Sequence, residues 1–172
     1  MTDGELAITK ADLTVTITGN TDSKAYTGSE QSVTGYEISI PEGATLTAAE
    51  ISGPAQDEAI ATGTNVGTYP MGLTADDFST TNNNYNVAFS VTDGELAITK
   101  ADLTVTITGN TDSKAYTGSE QSVTGYEISI PEDATLTAAE ISGPAQDEAI
   151  ATGTNVGTYP MGLTADSFST TG

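Results

Sequence analysis

The chain contains no cysteine, histidine, tryptophan or arginine. Without histidine and cysteine it cannot form the Ser-His or Cys-His pairs that activate a nucleophile, which excludes the commonest forms of covalent catalysis. Without cysteine it cannot form the disulfides on which many small secreted domains depend. We therefore predict that the chain is not an enzyme and has no cofactor, with calcium binding left open.

Positive charge is also scarce, because 4 lysines stand against 24 acidic residues and give a net charge of −20. Nucleic-acid binding requires a cationic surface, and an anionic membrane surface would repel this chain. We therefore predict no nucleic-acid partner and no membrane insertion. The sequence has no long apolar run, signal peptide or sorting motif, so we expect an internal segment of a longer extracellular protein.

An internal repeat organises the chain. Residues 1–82 recur as residues 91–172, so that each residue has a counterpart 90 positions later. The two copies differ at four positions, Met1/Val91, Gly43/Asp133, Asp77/Ser167 and Asn82/Gly172. A repeat of about 90 residues is long enough to enclose its own core, so we predict a row of small domains.

Residues 84–109 contain the clearest strand signals. Large side chains alternate with small ones from Tyr85 to Val91, which places the large ones on one face of a strand. Asp93-Gly94 follows, and this pair between alternating runs predicts a hairpin, because glycine accepts positive φ at no steric cost. Residues 95–99 would then form the return strand.

The apolar positions of the return strand, Leu96 and Ile98, are even-numbered, whereas those of the next strand are odd-numbered from Leu103 onward. One uninterrupted strand cannot keep both sets on the same face. We predict that Lys100, Ala101 and Asp102 form a junction between two modules. The alternative is a β-bulge within one module.

The repeat and the junction define the expected domains. Module A runs over 13–99, and module B over 103–172 without a counterpart of the closing hairpin. Residues 1–9 repeat the closing strand and are interpreted as the end of a preceding repeat.

Short alternating runs with frequent turn signals predict an all-β fold of two tandem β-sandwich-like modules in an elongated array. We expect 33–40 to be one strand with a bulge at Gly35, 19–23 to be a loop, and Phe78 to lie in the core. Residues 45–52 fit either a strand or a short helix. A β-grasp-like module with that helix is the alternative fold.

Three motifs resemble a known class of repeats: Gly67-Thr68-Tyr69, Asn84-Tyr85-Asn86-Val87, and Gly94 to Ala101. They resemble the tandem repeats of large cell-surface proteins of Gram-positive gut bacteria, and are similar to the MBG-type and other Ig-like stalk repeats of adhesins. The resemblance implies an extracellular, cell wall-associated location and a structural stalk that projects other domains.

An adhesive module that binds a glycan or a host protein, with or without calcium, is the alternative function. Such a module requires aromatic side chains exposed in a groove. Exposed pairing of Tyr26 and Tyr36 would favour adhesion, whereas burial of both would favour a spacer.

Oxygen-bearing side chains in the predicted loops are the candidate calcium ligands, although none follows EF-hand spacing. The candidates are Asn20, Asp22, Asp57 and Asp76. Asp76 and Asp77 could also form an acid–base pair. Ser167 replaces Asp77 in module B, however, so chemistry required of both modules would be lost. A solvated acidic surface is the alternative interpretation.

Lysine is rare enough for each side chain to be considered. Lys24 and Lys114 are candidates for an internal isopeptide bond to asparagine, a crosslink known in surface-stalk domains that would resist pulling. The alternative is an ordinary exposed charge.

The incomplete module also predicts self-association. Module B leaves a vacant sheet edge, and residues 1–9 of another copy are predicted to fill it head to tail. The alternative is an edge that frays or rearranges. Neighbouring repeats of the same chain are the other expected partners.

Overall fold

The computed structural model describes residues 1–171, which form strands, short 3-10 turns and connecting loops. The fold is all-β, as predicted, and no sheet formed by these residues closes into a barrel. The chain divides into two compact units, Met1–Ala101 and Asp102–Gly172. Within residues 1–171, no helix has the length and apolar character needed to cross a membrane.

The first unit contains ten strands and two 3-10 turns. The strands are β1 Ala11–Gly19, β2 Thr21–Ala25, β3 Gln31–Thr34, β4 Tyr36–Ser39, β5 Ile51–Ser52, β6 Ile60–Gly63, β7 Gly67–Pro70, β8 Ser79–Thr80, β9 Tyr85–Thr92 and β10 Glu95–Thr99, and the turns are Ala48–Glu50 and Ala75–Asp77.

Two long strands lie side by side at the centre of the first unit. One consists of β1 followed by β2, and the other of β9 followed by β10. β1 pairs with β9 in parallel, and β2 pairs with β10 in parallel. The partner's number is 74 higher in both pairs, as in Ala11↔Tyr85 and Ala25↔Thr99 (85 − 11 = 99 − 25 = 74). The register therefore continues without a shift past Asn20.

Each long strand passes from one sheet into another. β1 and β9 belong to a sheet of order β4-β1-β9, whereas β2 and β10 belong to a sheet of order β2-β10-β7. The two-stranded sheets β3-β6 and β5-β8 complete the unit. β7 is an edge strand. This position tolerates Pro70, because proline has no N–H to donate and an edge strand has one side without a partner strand.

The hairpin predicted at Asp93-Gly94 is wrong. β9 and β10 do not pair with each other but continue along the same partner strand, and the apolar parity changes because the chain changes sheets. The Asp93 carboxylate secures this bend by accepting hydrogen bonds from the backbone N–H groups of Gly72 and Leu73, both at 2.9 Å.

Glycine is needed at the bend for close backbone approach. A Cβ on Gly94 would overlap the carbonyl oxygen of Asn20, and a Cβ on Gly19 would overlap the backbone nitrogen of Gly94. The two long strands therefore touch at their glycines, where neither tolerates a side chain.

Two further predictions from the local sequence are wrong, because the structure pairs these segments in different sheets. Residues 33–40 are not one bulged strand, because β3 and β4 pair in different sheets and Gly35 between them has a φ of +87°. Residues 19–23 are not a loop, because β2 occupies Thr21–Ala25. Polar composition suggested a loop, but pairing with β10 holds this segment extended.

The first unit has two hydrophobic clusters. The larger contains Val15, Ile17, Leu46, Ala59, Leu73 and Phe78, and the smaller contains Ala61, Leu96 and Ile98. The core position predicted for Phe78 is confirmed, since its side chain is 5 % exposed and its ring packs edge-on against Tyr36 at a centroid distance of 5.1 Å.

The ambiguous segment 45–52 contains the 3-10 turn Ala48–Glu50, followed by β5. The Glu50 carboxylate accepts hydrogen bonds from the backbone N–H and the hydroxyl of Thr47, at 2.9 and 3.0 Å, and from the Asn82 amide at 2.9 Å. These bonds, the backbone bond first, hold the pKa of Glu50 below its ordinary value.

We expect Glu50→Gln to flatten the loss of stability in acid. A carboxylate with a lowered folded-state pKa stabilises the fold above its unfolded-state pKa, and that contribution is lost as the pH falls through the folded-state pKa. Urea midpoints measured at pH 7 and below pH 4 should differ less in Glu50→Gln than in the unaltered chain. Replacement of the exposed Glu42 by Gln is the control, and an equal change in both variants would contradict the assignment.

The second unit repeats only part of this arrangement. Its strands are β11 Thr106–Gly109, β12 Gln121–Thr124, β13 Tyr126–Ser129, β14 Ile141–Ser142, β15 Ile150–Gly153 and β16 Ser169–Thr170, with 3-10 turns at Ala138–Glu140 and Ala165–Ser167. The pairs β11-β13, β12-β15 and β14-β16 match β1-β4, β3-β6 and β5-β8 of the first unit.

Candidate functional site: the groove of the second unit

The second unit contains a groove with a volume of about 1250 Å³. Apolar side chains on its lining include Val105, Ile107 and Phe168. The segments 109–114 and 151–165 supply many of its lining residues.

The groove lies where β9 and β10 lie in the first unit. Val15 and Ile17 of β1, which lie opposite Phe89 and Val91 of β9, are 0 % exposed. Their counterparts Val105 and Ile107 are only partly buried, although the local sequence is identical. Within the residues that the structure describes, no strand of the second unit occupies this position.

The backbone beside the groove also differs from the first unit. β10 is the central strand between β2 and β7 there. The counterparts of β2 and β7, residues 111–115 and 157–160, form no strand, and neither do residues 101–105, which match the first half of β1. Since the paired sequences are identical, we attribute these differences to the missing partner strand.

The groove offers an extended chain both apolar side chains and backbone hydrogen-bonding groups. In the first unit the Tyr26 N–H donates to the carbonyl of Thr99, at the end of β10, and the Met71 N–H donates to the carbonyl of Gly94, just before β10, both at 2.8 Å. Their counterparts in the second unit are Tyr116 and Met161. A strand with alternate apolar residues is the ligand that such an edge recognises.

One segment of the chain has the sequence of such a strand but is not paired. Residues 1–10 form no strand, and Leu6 and Ile8 are 87 % and 89 % exposed. The same residues in β10, Leu96 and Ile98, are 0 % and 2 % exposed.

The candidate calcium ligands have the following surroundings. Asn20, between β1 and β2, donates its side-chain amide to the carbonyl of Thr34 at the end of β3 at 2.8 Å, while Asp22, Asp57 and Asp76 are exposed. Within residues 1–171, no three acidic side chains lie close enough together to hold a metal ion.

Asp77 caps a 3-10 turn. Its carboxylate accepts hydrogen bonds from the backbone N–H and the hydroxyl of Thr74, at 2.7 and 2.9 Å, at the start of a 3-10 turn. Ser167 takes this place in the second unit, where the corresponding N–H to oxygen distance is 3.4 Å. The difference between the repeats therefore changes the capping of a turn.

The two candidate crosslinking lysines have the same surroundings. The Lys24 ammonium donates to the carbonyl of Ser32 at 2.7 Å and lies 3.5 Å from the Asp22 carboxylate. Lys114 repeats both contacts, at 2.6 and 3.5 Å. These contacts are with a carbonyl and a carboxylate, whereas the predicted crosslink needs an asparagine amide.

The junction residues Lys100, Ala101 and Asp102 are exposed and belong to no strand. The division between the two compact units falls between Ala101 and Asp102.

A comparison with protein families supplies the identity of the fold, because residues 13–100 match the MBG domain. The chain belongs to the MBG domain family. The match runs from β1 to the residue after β10, so it includes both long strands of the first unit. Comparisons with curated proteins and with solved structures found no match.

MBG domains are structural and non-catalytic, and they occur in extracellular surface proteins.

Sequence reasoning singled out Asp93 and Gly94 but assigned them to a hairpin, and it placed Gly19 in a loop, so it missed the bend that these residues shape. One signal was available, because the apolar parity also changes between Val91 and Leu96. That change fits a strand that moves to another sheet as well as it fits a hairpin.

Proposed function

We propose that this MBG chain is a stalk segment that holds other domains away from the wall of a Gram-positive bacterial cell. Membership of a family of extracellular surface repeats supports this proposal. The near-identity of residues 1–82 and 91–172 also supports it, because a spacer depends on the number of its units more than on differences between them.

The observation that carries the proposal is the parallel pairing of the first and last long strands of the first unit. Ala11 lies beside Tyr85 at one end of this pair, and Ala25 lies beside Thr99 at the other. The chain thus begins the unit at one end of the paired strands and leaves it at the opposite end. Tension along the chain would act in shear on all the rungs of this pair together.

Single-molecule pulling tests this role. The chain has no cysteine, so paired attachment points can be introduced at exposed positions. We expect Lys10→Cys with Lys100→Cys to place the unit in shear and to require a clearly higher unfolding force than Lys10→Cys with Asn84→Cys. The second pair pulls from one end and separates the strands rung by rung, since Ala11 donates to the Asn84 carbonyl at 3.0 Å.

Thermal unfolding of both double variants is the control, since all three positions are exposed and the equilibrium stability should not change. Equal rupture forces in the two directions would contradict a load-carrying role.

The adhesive alternative depended on an exposed pair of tyrosines. Tyr36 packs against the larger cluster and donates its hydroxyl to the Pro54 carbonyl at 2.7 Å, and burial raises the pKa of its phenol. Tyr26 packs against the smaller cluster. No paired aromatic surface forms from them in the first unit, so the stalk is the function that we propose.

A further inference from the structure

We propose that two copies of this chain associate through the outer edge of β9, which pairs antiparallel with β9 of the second copy across a two-fold axis. The two β4-β1-β9 sheets would then form one continuous sheet. β9 lies inside the span 13–100 that matches the MBG domain, so this edge belongs to the unit itself. The contact between copies does not depend on the stalk role.

Three of the four edge strands in the three-stranded sheets of the first unit are protected against such pairing. Proteins protect sheet edges with charges, proline or a covering group. The Gln56 side chain covers the outer side of β4, because it accepts from the Tyr36 N–H at 2.8 Å and donates to the Tyr36 carbonyl at 3.1 Å. β2 carries Asp22 and Lys24, and β7 ends with Pro70.

β9 has none of these forms of protection. Its eight residues, Tyr85–Thr92, include no charged residue, no proline and no glycine. Within residues 1–171, no strand pairs with its outer side. A long uncharged edge strand is a site for pairing with another chain. Because the chain has a net charge of −20, an uncharged edge is also where two copies repel each other least.

The backbone groups on this open edge are those of the odd-numbered residues of β9. Ala11 of β1 donates its N–H to the Asn84 carbonyl at 3.0 Å, so the even-numbered groups face β1. Successive residues of a strand point their backbone groups to opposite sides, and the odd-numbered groups therefore face outward. These are the groups of Tyr85, Val87, Phe89 and Val91.

Antiparallel pairing of β9 with its own copy, centred on Ala88, satisfies these groups. Tyr85 then lies opposite Val91 of the second copy, and Val87 lies opposite Phe89. Both are pairs of an aromatic with a β-branched side chain, a combination that stabilises neighbouring strands. Ala88 meets its own copy at the axis, on the exposed face. This self-complementary sequence identifies a second copy of the chain as the occupant of the edge.

The burial of the apolar side chains also favours an added strand on this side. Val15 and Ile17 of the central strand β1 are 0 % exposed. Phe89 and Val91, which lie opposite them in β9, are only partly buried. A strand of the second copy would cover part of this exposed apolar surface, and its removal from water would stabilise the pair.

The proposed contact uses the same surface on both copies, so it closes at two copies. The net charge of −20 opposes their approach. Added salt should therefore strengthen the association by screening that repulsion.

Sedimentation of the full chain over a concentration series is the first test. We expect the average mass to rise above the 17.5 kDa of one chain, more so at higher salt. Ala88→Lys should weaken association by roughly fivefold or more, because two like charges would lie directly opposite each other at the axis. The general repulsion between copies would change in the other direction, since the added lysine lowers the net negative charge.

Thr14→Lys is the matched control for this substitution. Thr14 lies opposite Ala88 in the neighbouring strand β1 and is also exposed, so the same charge change is placed away from the edge. This variant should associate at least as well as the unaltered chain, and thermal unfolding shows whether both variants are folded. A chain that stays monomeric at all concentrations would overturn the proposal, as would equal association of the two lysine variants.

A disulfide crosslink is the second test, and it locates the contact. The chain has no cysteine of its own, so a single introduced cysteine can form a disulfide only between copies. Residues opposite each other at a non-hydrogen-bonded position of an antiparallel pair lie about 4.5 Å apart at Cα, within reach of a disulfide. We therefore expect Ala88→Cys to form a covalent dimer rapidly on mild oxidation.

Thr14→Cys is the control for the crosslink, because Thr14 and its copy would be separated by three strand spacings of about 4.8 Å each. Its disulfide should form much more slowly. Equal rates in the two variants would overturn the proposal. Association that Ala88→Lys weakens, without an Ala88→Cys disulfide, would show that β9 pairs with a different segment and would also overturn it.

Discussion

Replacement of Leu96 by alanine is expected to lower the free energy of unfolding of the first unit by about 2–5 kcal/mol. Leu96 is 0 % exposed and lies in the central strand of the β2-β10-β7 sheet, in the smaller cluster with Ala61 and Ile98. A truncated side chain there leaves a cavity that the flanking strands cannot fill without losing their register.

The chain contains its own control for this substitution. Leu6 has the same neighbours in sequence but is 87 % exposed, so Leu6→Ala should change the free energy of unfolding by less than about 0.5 kcal/mol. Urea denaturation followed by circular dichroism measures both changes, and hydrogen exchange of the Ile17 amide assigns them to the first unit. A similar cost for both variants would contradict the burial difference between the two copies of this sequence.

Replacement of Gly94 by alanine is expected to destabilise the first unit by about 3 kcal/mol, near the upper end of overpacking costs. The added Cβ would overlap the Asn20 carbonyl oxygen, which belongs to the backbone of the adjacent long strand. A backbone atom cannot move aside as a flexible side chain can, so the two strands would have to separate at the bend.

Gly4→Ala is the matched control, because no atom lies within 4 Å of the position its Cβ would take. Melting temperatures of the two variants provide the measurement. If Gly94→Ala has the same melting temperature as the unaltered chain, the close contact between the long strands at Gly19 and Gly94 is wrong.

The sequence predicted those features that depend on neighbouring residues alone. Alternation identified the inward faces of β1 and β9, because a strand's side chains alternate wherever the strand pairs. The large aromatic Phe78 was placed in the core because a loop with one big apolar residue gains most by burying it.

Pairing between distant residues was not predictable in this way. Asp93-Gly94 carries the same local signal for a hairpin and for a bend, and only the parallel partner β1–β2, 74 residues earlier, decides between them. Gly35 was ambiguous for the same reason, since a bulge and a change of sheet both use glycine. The groove is the converse case, because the missing counterparts of β9 and β10 could be recognised by comparing the repeats.

The 74-residue separation of the paired strands also sets the order in which an MBG unit folds. A chain made from its N-terminus presents β1 and β2 several seconds before β9 and β10, at roughly 5–20 residues per second. Both strands of β3-β6 and of β5-β8 are made before β9, and even a local hairpin needs only about 1–10 μs, so these pairs have time to form while the central position is still open.

The second unit thus resembles a first unit in which β9 and β10 have not yet paired with β1 and β2. During this interval any chain with the closing sequence competes for the open position, and neighbouring repeats supply that sequence in identical copies. The speed with which each unit receives its own closing strand therefore decides between correct folding and strand exchange, and sequence divergence near β10 would be the simplest protection against the latter.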